Sequence, residues 1–345
     1  MRGIGALLAL SAAALTGCGR AAPAPIIDMH LHANAADAQG PPPVAVCAPY
    51  GAMPGRDARW DPPTYAARTF KQTHCRRPVW SSRTDDALRD ETLAELRRLN
   101  ITAVTSGDPE RVEAWRRADP RRIVPAVAFD ASTLPKLDEL RALHRAGRLA
   151  VLGEIGVQYD GWAPDDPRLE PYYALAEELD VPVAIHVGPG PPGAPYLGMT
   201  AYRMALSDPL RLESVLVRHP RLRLYVMHAG WPNADAMIAL LYAHPQVYVD
   251  TGVIDWSQPR AEFHRHLRRL VEAGYGDRIM FGSDQMVWPG VIAPAVRAVT
   301  SAPFLSERQK RAILYDNARR FLRWDERGAP NGAVARSTID TAAAR

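Results

Sequence analysis

The apolar positions of this chain fall in eight short, nearly continuous runs. They are PIIDMHLH (25 to 32), ITAVTSG (101 to 107), RIVPAVAFD (122 to 130), LAVLGEIG (149 to 156), VPVAIHVG (181 to 188), LRLYVMHAG (222 to 230), QVYVDTG (246 to 252) and RIMFGSD (278 to 284). A strand covered on one face alternates apolar and polar residues, so continuous runs predict parallel strands buried on both faces. Between them lie amphipathic segments with helix-end chemistry. TDDALRDETLAELRRLN carries acids in its first turn and arginines in its last, the sense that the helix dipole favours. STLPKLDELRALHRAG is predicted to start at a Ser/Thr cap and to stop at Gly147. DPLRLESVLVRHP and NADAMIALLYAHP each run into a proline that cannot continue a helix, so His219 and His244 read as helix-end residues rather than ligands. Eight strands alternating with helices predict a (β/α)8 TIM barrel, for which about 250 residues is typical.

The chain has 345 residues, and the surplus over a bare barrel is concentrated. One barrel is expected over 25–324, with a long insertion at 33–84 after the first strand and a second excursion at 189–207 after the fifth. The insertion is rich in Pro, Tyr and Trp (PPPVAVCAPYGAMPGRDARWDPPTYAARTF), which argues for an ordered excursion over an active site. His74, inside it, reads as an exposed surface histidine. The tail 325–345 has few large apolar side chains and is expected to be disordered. A composition of 47 % hydrophobic and 23 % charged residues is that of an ordinary soluble globular protein. The 42 basic residues against 38 acidic ones are spread over predicted helix surfaces, so no nucleic-acid partner is expected.

The first residues, MRGIGALLALSAAALTGCGR, change the compartment. They hold one Arg near the start, an apolar stretch from Ile4 to Leu15 too short to span a membrane, and LTGC, which resembles the lipobox of bacterial lipoproteins. The resemblance implies a signal peptide at 1–17, a lipid anchor on Cys18 with a linker to residue 24, and, from Gly19 at the next position, the periplasmic side of the outer membrane. An ordinary secretory signal cut nearby is the alternative. Both place the mature chain outside the cytoplasm, touching a membrane only through the anchor. Cys47 and Cys75 are the remaining thiols, and an oxidising compartment favours a disulfide between them over a metal site, since their spacing does not suit a zinc ribbon.

Barrel enzymes place their chemistry at the C-terminal ends of the strands. Those ends carry Asp28, His30 and His32 on the first run, Glu154 on the fourth, His186 on the fifth, His228 on the sixth, Asp250 on the seventh and Asp284 on the eighth. Asp250, Trp231, Gln158, Tyr159 and Trp288 lie in loops opening at the same face and are candidates to meet a substrate, or else simple loop packing; Asp250 and Trp231 are equally candidates to support the ligands from behind.

The ordered set DMHLH, GEIG, IHVG, MHAGWP and FGSD resembles the amidohydrolase superfamily over about residues 25 to 324. It looks most like the amidohydrolase-related branch, which mixes hydrolases with decarboxylases and hydratases. The resemblance implies a metal site from His30, His32, His186 and Asp284, with His228 a ligand or an acid/base and Asp284 the acceptor of the water's proton. Imidazoles and carboxylates suit Zn²⁺ or a similar divalent ion, which lowers the pKa of coordinated water from about 16 to about 7. Asp28 is either a partner that orients an imidazole or a structural hydrogen-bond acceptor. Glu154 sets the metal count: if it bridges, one ion takes His30, His32 and Asp284 and a second takes His186 and His228. Two ions are favoured over one. The implied function is metal-dependent hydrolysis of an ester, lactone or amide in a small molecule. The alternatives are a mononuclear decarboxylase or hydratase of an aromatic or unsaturated acid, and a non-catalytic ligand-binding lipoprotein. Substrate identity and oligomeric state are not encoded legibly.

Overall fold

The computed structural model describes residues 23–73 and 75–327. The lipobox-like start with Cys18, His74 and the tail beyond residue 327 lie outside the described residues. Among the described residues ten strands form in chain order: β1 (Ile26–Ala33), β2 (Ala45–Val46), β3 (Val79–Trp80), β4 (Ile101–Gly107), β5 (Ile123–Phe129), β6 (Val151–Ile155), β7 (Val183–Ile185), β8 (Leu224–Val226), β9 (Tyr248–Asp250) and β10 (Ile279–Met280). Eight of them make one parallel sheet in the order β1-β4-β5-β6-β7-β8-β9-β10. The segment after β10 returns to β1 through Met29 N to Phe281 O (2.8 Å) and His32 N to Gln285 O (2.9 Å), closing the barrel. The predicted (β/α)8 TIM barrel is what forms.

The continuous apolar runs are explained by two packed layers. Ile27, Met29, Val104, Val124, Val151 and Tyr225 fill the barrel interior, and the C-terminal residues Phe321, Leu322 and Trp324 pack into its lower end. Residues one step along the same strands, such as Leu31, Ala103, Leu152 and Val226, pack outward against the helices. Both faces of these strands therefore meet apolar neighbours below the mouth, which is why the runs read as continuous there.

Several bounds differ from the sequence expectation. The later strands are shorter than their apolar runs; β8 ends at Val226, and Met227–Gly230 turns as a short 3-10 segment because His228 and Ala229 take left-handed backbone angles (φ +59° and +50°). The helix expected from a Ser/Thr cap spans Leu137–Arg145, with Lys136 at its N-cap. The Ser and Thr serve a turn instead, since Asp130 Oδ1 accepts from Ser132 N (2.8 Å), Ser132 Oγ (2.7 Å) and Thr133 Oγ1 (2.9 Å). Within the tail expected from residue 325, a helical turn covers Trp324–Arg327 and Trp324 just before it is buried; the rest of that segment lies outside the described residues. His219 and His244 do cap their helices.

The insertion is ordered around the β2–β3 hairpin and a helix α1 (Pro62–Phe70), and Cys47 and Cys75 are bonded, with Cα atoms 5.8 Å apart. It touches the other excursion: Tyr65 donates to Pro192 O at 2.8 Å, and the Arg56 guanidinium lies 4.5 Å from the centre of the Tyr196 ring. Two surplus segments thus roof one barrel mouth. No helix among the described residues is long and apolar enough to cross a membrane.

Candidate metal centre

The C-terminal mouth gathers the ligand-type residues that the sequence placed there. His30 and His32 project together from β1 with their Nε2 atoms 3.2 Å apart. Glu154 Oε2 stands 3.4 Å from His30 Nε2 and 3.1 Å from His32 Nε2, and Asp284 Oδ1 stands at the same two distances, 3.4 and 3.1 Å. On the other side of Glu154, Oε1 lies 2.6 Å from His186 Nδ1, which is 2.9 Å from His228 Nε2. Glu154 therefore belongs to two ligand groups, one with His30 and His32 and one with His186 and His228; Asp284 joins His30 and His228 in a third.

Local sequence explains how these side chains arrive. Glu154 follows Gly153, whose φ of +149° suits glycine, and a Cβ there would stand 2.4 Å from Ala184 on β7, so only glycine lets the two strands approach. Gly252 makes a similar allowance, since a Cβ would meet His30 Nδ1 at 2.5 Å. Asp284 and His228 both carry left-handed backbone angles, φ +46° and +59°. Such conformations cost about 1–3 kcal/mol in non-glycine residues and persist where the surroundings over-determine them, as at functional sites.

The imidazoles are oriented from behind. His228 Nδ1 faces Gly252 O at 2.9 Å, which makes Nδ1 the protonated nitrogen and leaves the Nε2 lone pair toward the centre. His32 Nδ1 pairs with Ser106 Oγ at 3.1 Å. His30 Nδ1 lies 3.2 Å from Asp250 Oδ2, off the line of a good hydrogen bond, while Asp250 Oδ1 accepts from the His228 and Gly252 amides at 3.1 and 2.8 Å. Asp250 is 0 % exposed, so it sits beneath the histidines instead of facing a substrate. Asp28 accepts from the His30 and Ser283 amides at 3.0 and 2.9 Å, pinning β1 to the segment after β10. Burial raises its pKa to about 6 against those bonds.

Of its two expectations, substrate contact or loop packing, Gln158 takes the second. It is 1 % exposed and its amide donates to Ser207 Oγ at 2.6 Å and Gly188 O at 3.2 Å, tying the loop after β7 together. Tyr159, Trp231 and Trp288 do line the cavity above the site. Sequence reading missed Ser106 and Gly252; their one signal was position, at the end of the second and seventh apolar runs.

The donor set fits a cation. Burial pulls the His32 imidazole down, yet Asp284 and Glu154 outweigh it and raise its pKa to about 9. His30 is likewise raised well above its ordinary value, against burial, by Asp284 and Asp250. Burial raises Glu154 and Asp284, but the imidazoles hold both below the usual carboxylate range. His186 Nε2 is buried with no partner. The pull of these carboxylates on His30 and His32 is one that a divalent cation held among the same groups would satisfy in place of protons. His228 differs: burial, then His186, lowers it to about 4, so it stays neutral.

A pH-dependent prediction follows for chelator-treated protein. The His32 contribution to stability is fully present below about pH 6.5 and is lost as pH rises through about 9, because its folded pKa lies above its unfolded one. The melting temperature of the metal-free protein is expected to fall by roughly 5 °C across that window, and that of the metal-loaded protein to hold, the ion having displaced the protons. Equal pH profiles for the two forms would show that these carboxylates do not grip His32.

The model of the amidohydrolase family matches residues 27–324. The chain belongs to the amidohydrolase family. This amidohydrolase is similar in structure to a probable 2-pyrone-4,6-dicarboxylic acid hydrolase from Acinetobacter baumannii solved with citric acid (14 % identity, 86 % of this chain and 98 % of that chain, TM-score 0.53). It is similar to 5-carboxyvanillate decarboxylase from Sphingomonas paucimobilis (17 %, 87 % and 99 %, 0.54) and to 4-oxalomesaconate hydratase from Rhodopseudomonas palustris (17 %, 86 % and 95 %, 0.51). At such identities the likeness establishes the fold. No curated protein matches in sequence. Family and site together make the amidohydrolase an enzyme with a candidate metal centre.

Proposed function

We propose that this amidohydrolase hydrolyses an ester, lactone or amide bond of a small molecule at a two-metal centre. The observation that carries the reading is Glu154, with one carboxylate oxygen 3.1 Å from His32 and the other 2.6 Å from His186. A carboxylate set between two histidine pairs is what a bridging ligand requires. His30, His32 and Asp284 would hold one ion and His186 with His228 the second. Divalent ions there supply a Lewis acid for the carbonyl and lower the pKa of water.

The chain's own groups supply the rest. Asp284, ionised and 8 % exposed in its side chain, is placed to take the attacking water's proton and hand it to the leaving group. His228 stays neutral, its Nδ1 committed to Gly252 O, so its Nε2 lone pair, beside His186 Nδ1, would be the one to hold the ion. Asp250 fixes the backbone of His228 and faces His30, which keeps both rings from turning. Tyr159 and Trp231 wall the space where the substrate would sit. The lipobox-like start supports a reaction outside the cytoplasm on a protein anchored through Cys18.

A second reading has one observation in its favour. His186 Nδ1 lies between Glu154 and His228, so Glu154 can be spent on orienting an imidazole, leaving one ion. The decarboxylase and hydratase among the similar folds then suggest an aromatic or unsaturated acid as substrate. Metal analysis with a panel of esters, lactones, amides and aromatic acids separates the two. Two ions per chain with metal-dependent hydrolysis is the expected result; one ion with release of carbon dioxide would replace it, and no turnover of any class would favour a ligand-binding protein.

A further inference from the structure

Above the metal centre lies a cavity of about 1310 Å³, larger than the 300–1,000 Å³ common for small-molecule sites. Its walls away from the ligands are mostly apolar, with Val46, Phe70, Leu134, Met199, Trp256 and Trp288 among them. Both excursions contribute: Val46 and Phe70 come from the insertion, and Met199 from the segment after β7.

The charged groups in the wall are one-sided. Asp108, Asp130 and Glu139 line it besides Glu154 and Asp284, and among the described residues Arg203 is the only Lys or Arg that does. Arg203 is exposed, and its Nη1 donates to Thr200 O (2.8 Å) and Tyr202 O (2.7 Å) of its own loop. Asp130 is held ionised by Ser132 and Thr133 despite burial, and Asp108 caps the helix Pro109–Ala118.

This distribution bears on the part of the substrate that does not react. An anionic group at the reacting end can be met by metal charge. A second anion at the far end would leave water for a mostly apolar wall that carries half-buried Asp130, with exposed Asp108 and Glu139 at its rim and no buried Lys or Arg among the described residues to pair it. We infer that the substrate is an uncharged ester or lactone carrying an extended apolar group, and that dicarboxylates and chain-terminal carboxylates are excluded. The inference rests on the hydrolase reading for its reacting bond and on the cavity wall for the rest.

The test uses the full chain, metal-loaded, with two matched series: γ-lactones and aryl esters bearing alkyl chains of four to ten carbons, and the same compounds ending in a carboxylate. kcat/KM is expected to rise about two- to fourfold per added methylene until the chain fills the cavity. The terminal carboxylate is expected to lower it at least about 30-fold, mostly through KM. Displacement of the uncharged dye Nile red by non-hydrolysable ether analogues of both series measures binding without turnover. Tight displacement by neutral analogues and weak displacement by carboxylates upholds the inference, even where the absence of turnover sinks the hydrolase reading. Equal binding of both series, or preference for the carboxylates that disappears in Arg203→Ala, overturns the inference while leaving the hydrolase reading intact.

Discussion

Glu154→Ala is expected to leave a folded protein that holds one divalent ion where the parent holds two, and to lower kcat/KM about a thousandfold, the scale of losing one preorganised electrostatic stabiliser. The asymmetry of the ligand groups predicts which ion departs. Without Glu154, His30, His32 and Asp284 still converge, with Asp284 Oδ1 at 3.4 and 3.1 Å from the two Nε2 atoms. His186 and His228 would be left as a pair, too few ligands for a stable divalent site. Glu154→Gln sharpens the test, because it keeps the volume and one acceptor but removes the charge; it too should lose the second ion. Metal content by elemental analysis, read beside kcat/KM and the melting temperature, decides the matter. A variant that still binds as many ions as the parent would show that Glu154 only orients His186.

Glu154 was legible from sequence for a definite reason, and the limits of that legibility have reasons too. Barrel strands are continuous apolar runs, so a Glu, His or Asp at the end of one stands out, and six such interruptions at equivalent positions marked the mouth of the barrel. What lies one layer further out leaves no such mark. Gln158, just past a strand end, reads like a substrate contact, yet the fold turns it onto Gly188 and Ser207; Asp250, the last residue of β9, reads equally as a substrate contact or as a support for the ligands, and the fold buries it under His30. Their fates depend on contacts across 30 and more residues of chain, which local patterning does not encode. The same holds for the roof. Pro- and Trp-rich composition suggested an ordered insertion, but the contact of Tyr65 with Pro192 joins segments 127 residues apart. Left-handed angles at His228 and Asp284 were equally hidden, because neither residue type demands them, in contrast to Gly153.

The angle at Asp284 makes its substitution unusually informative. Asparagine tolerates left-handed backbone better than most residues, and the Asp284 amide donates to His30 O at 2.6 Å whatever the side chain. Asp284→Asn should therefore keep the φ of +46° and the closure of the barrel, removing only the charge and the proton acceptor. Its kcat is expected to fall about 10³–10⁴-fold, the upper range for loss of a general base, with the melting temperature of the loaded enzyme little changed. Because His30, His32 and His228 hold the Asp284 carboxylate below its ordinary range against burial, the acid limb of the parent's kcat profile should lie low and should be absent from the residual activity of the variant. A large drop in melting temperature with loss of both ions would assign Asp284 to metal retention alone. A variant that binds both ions and keeps more than about a tenth of kcat would place the proton acceptor elsewhere. His228, neutral and with its Nε2 free of any backbone bond, would then be the group to replace next.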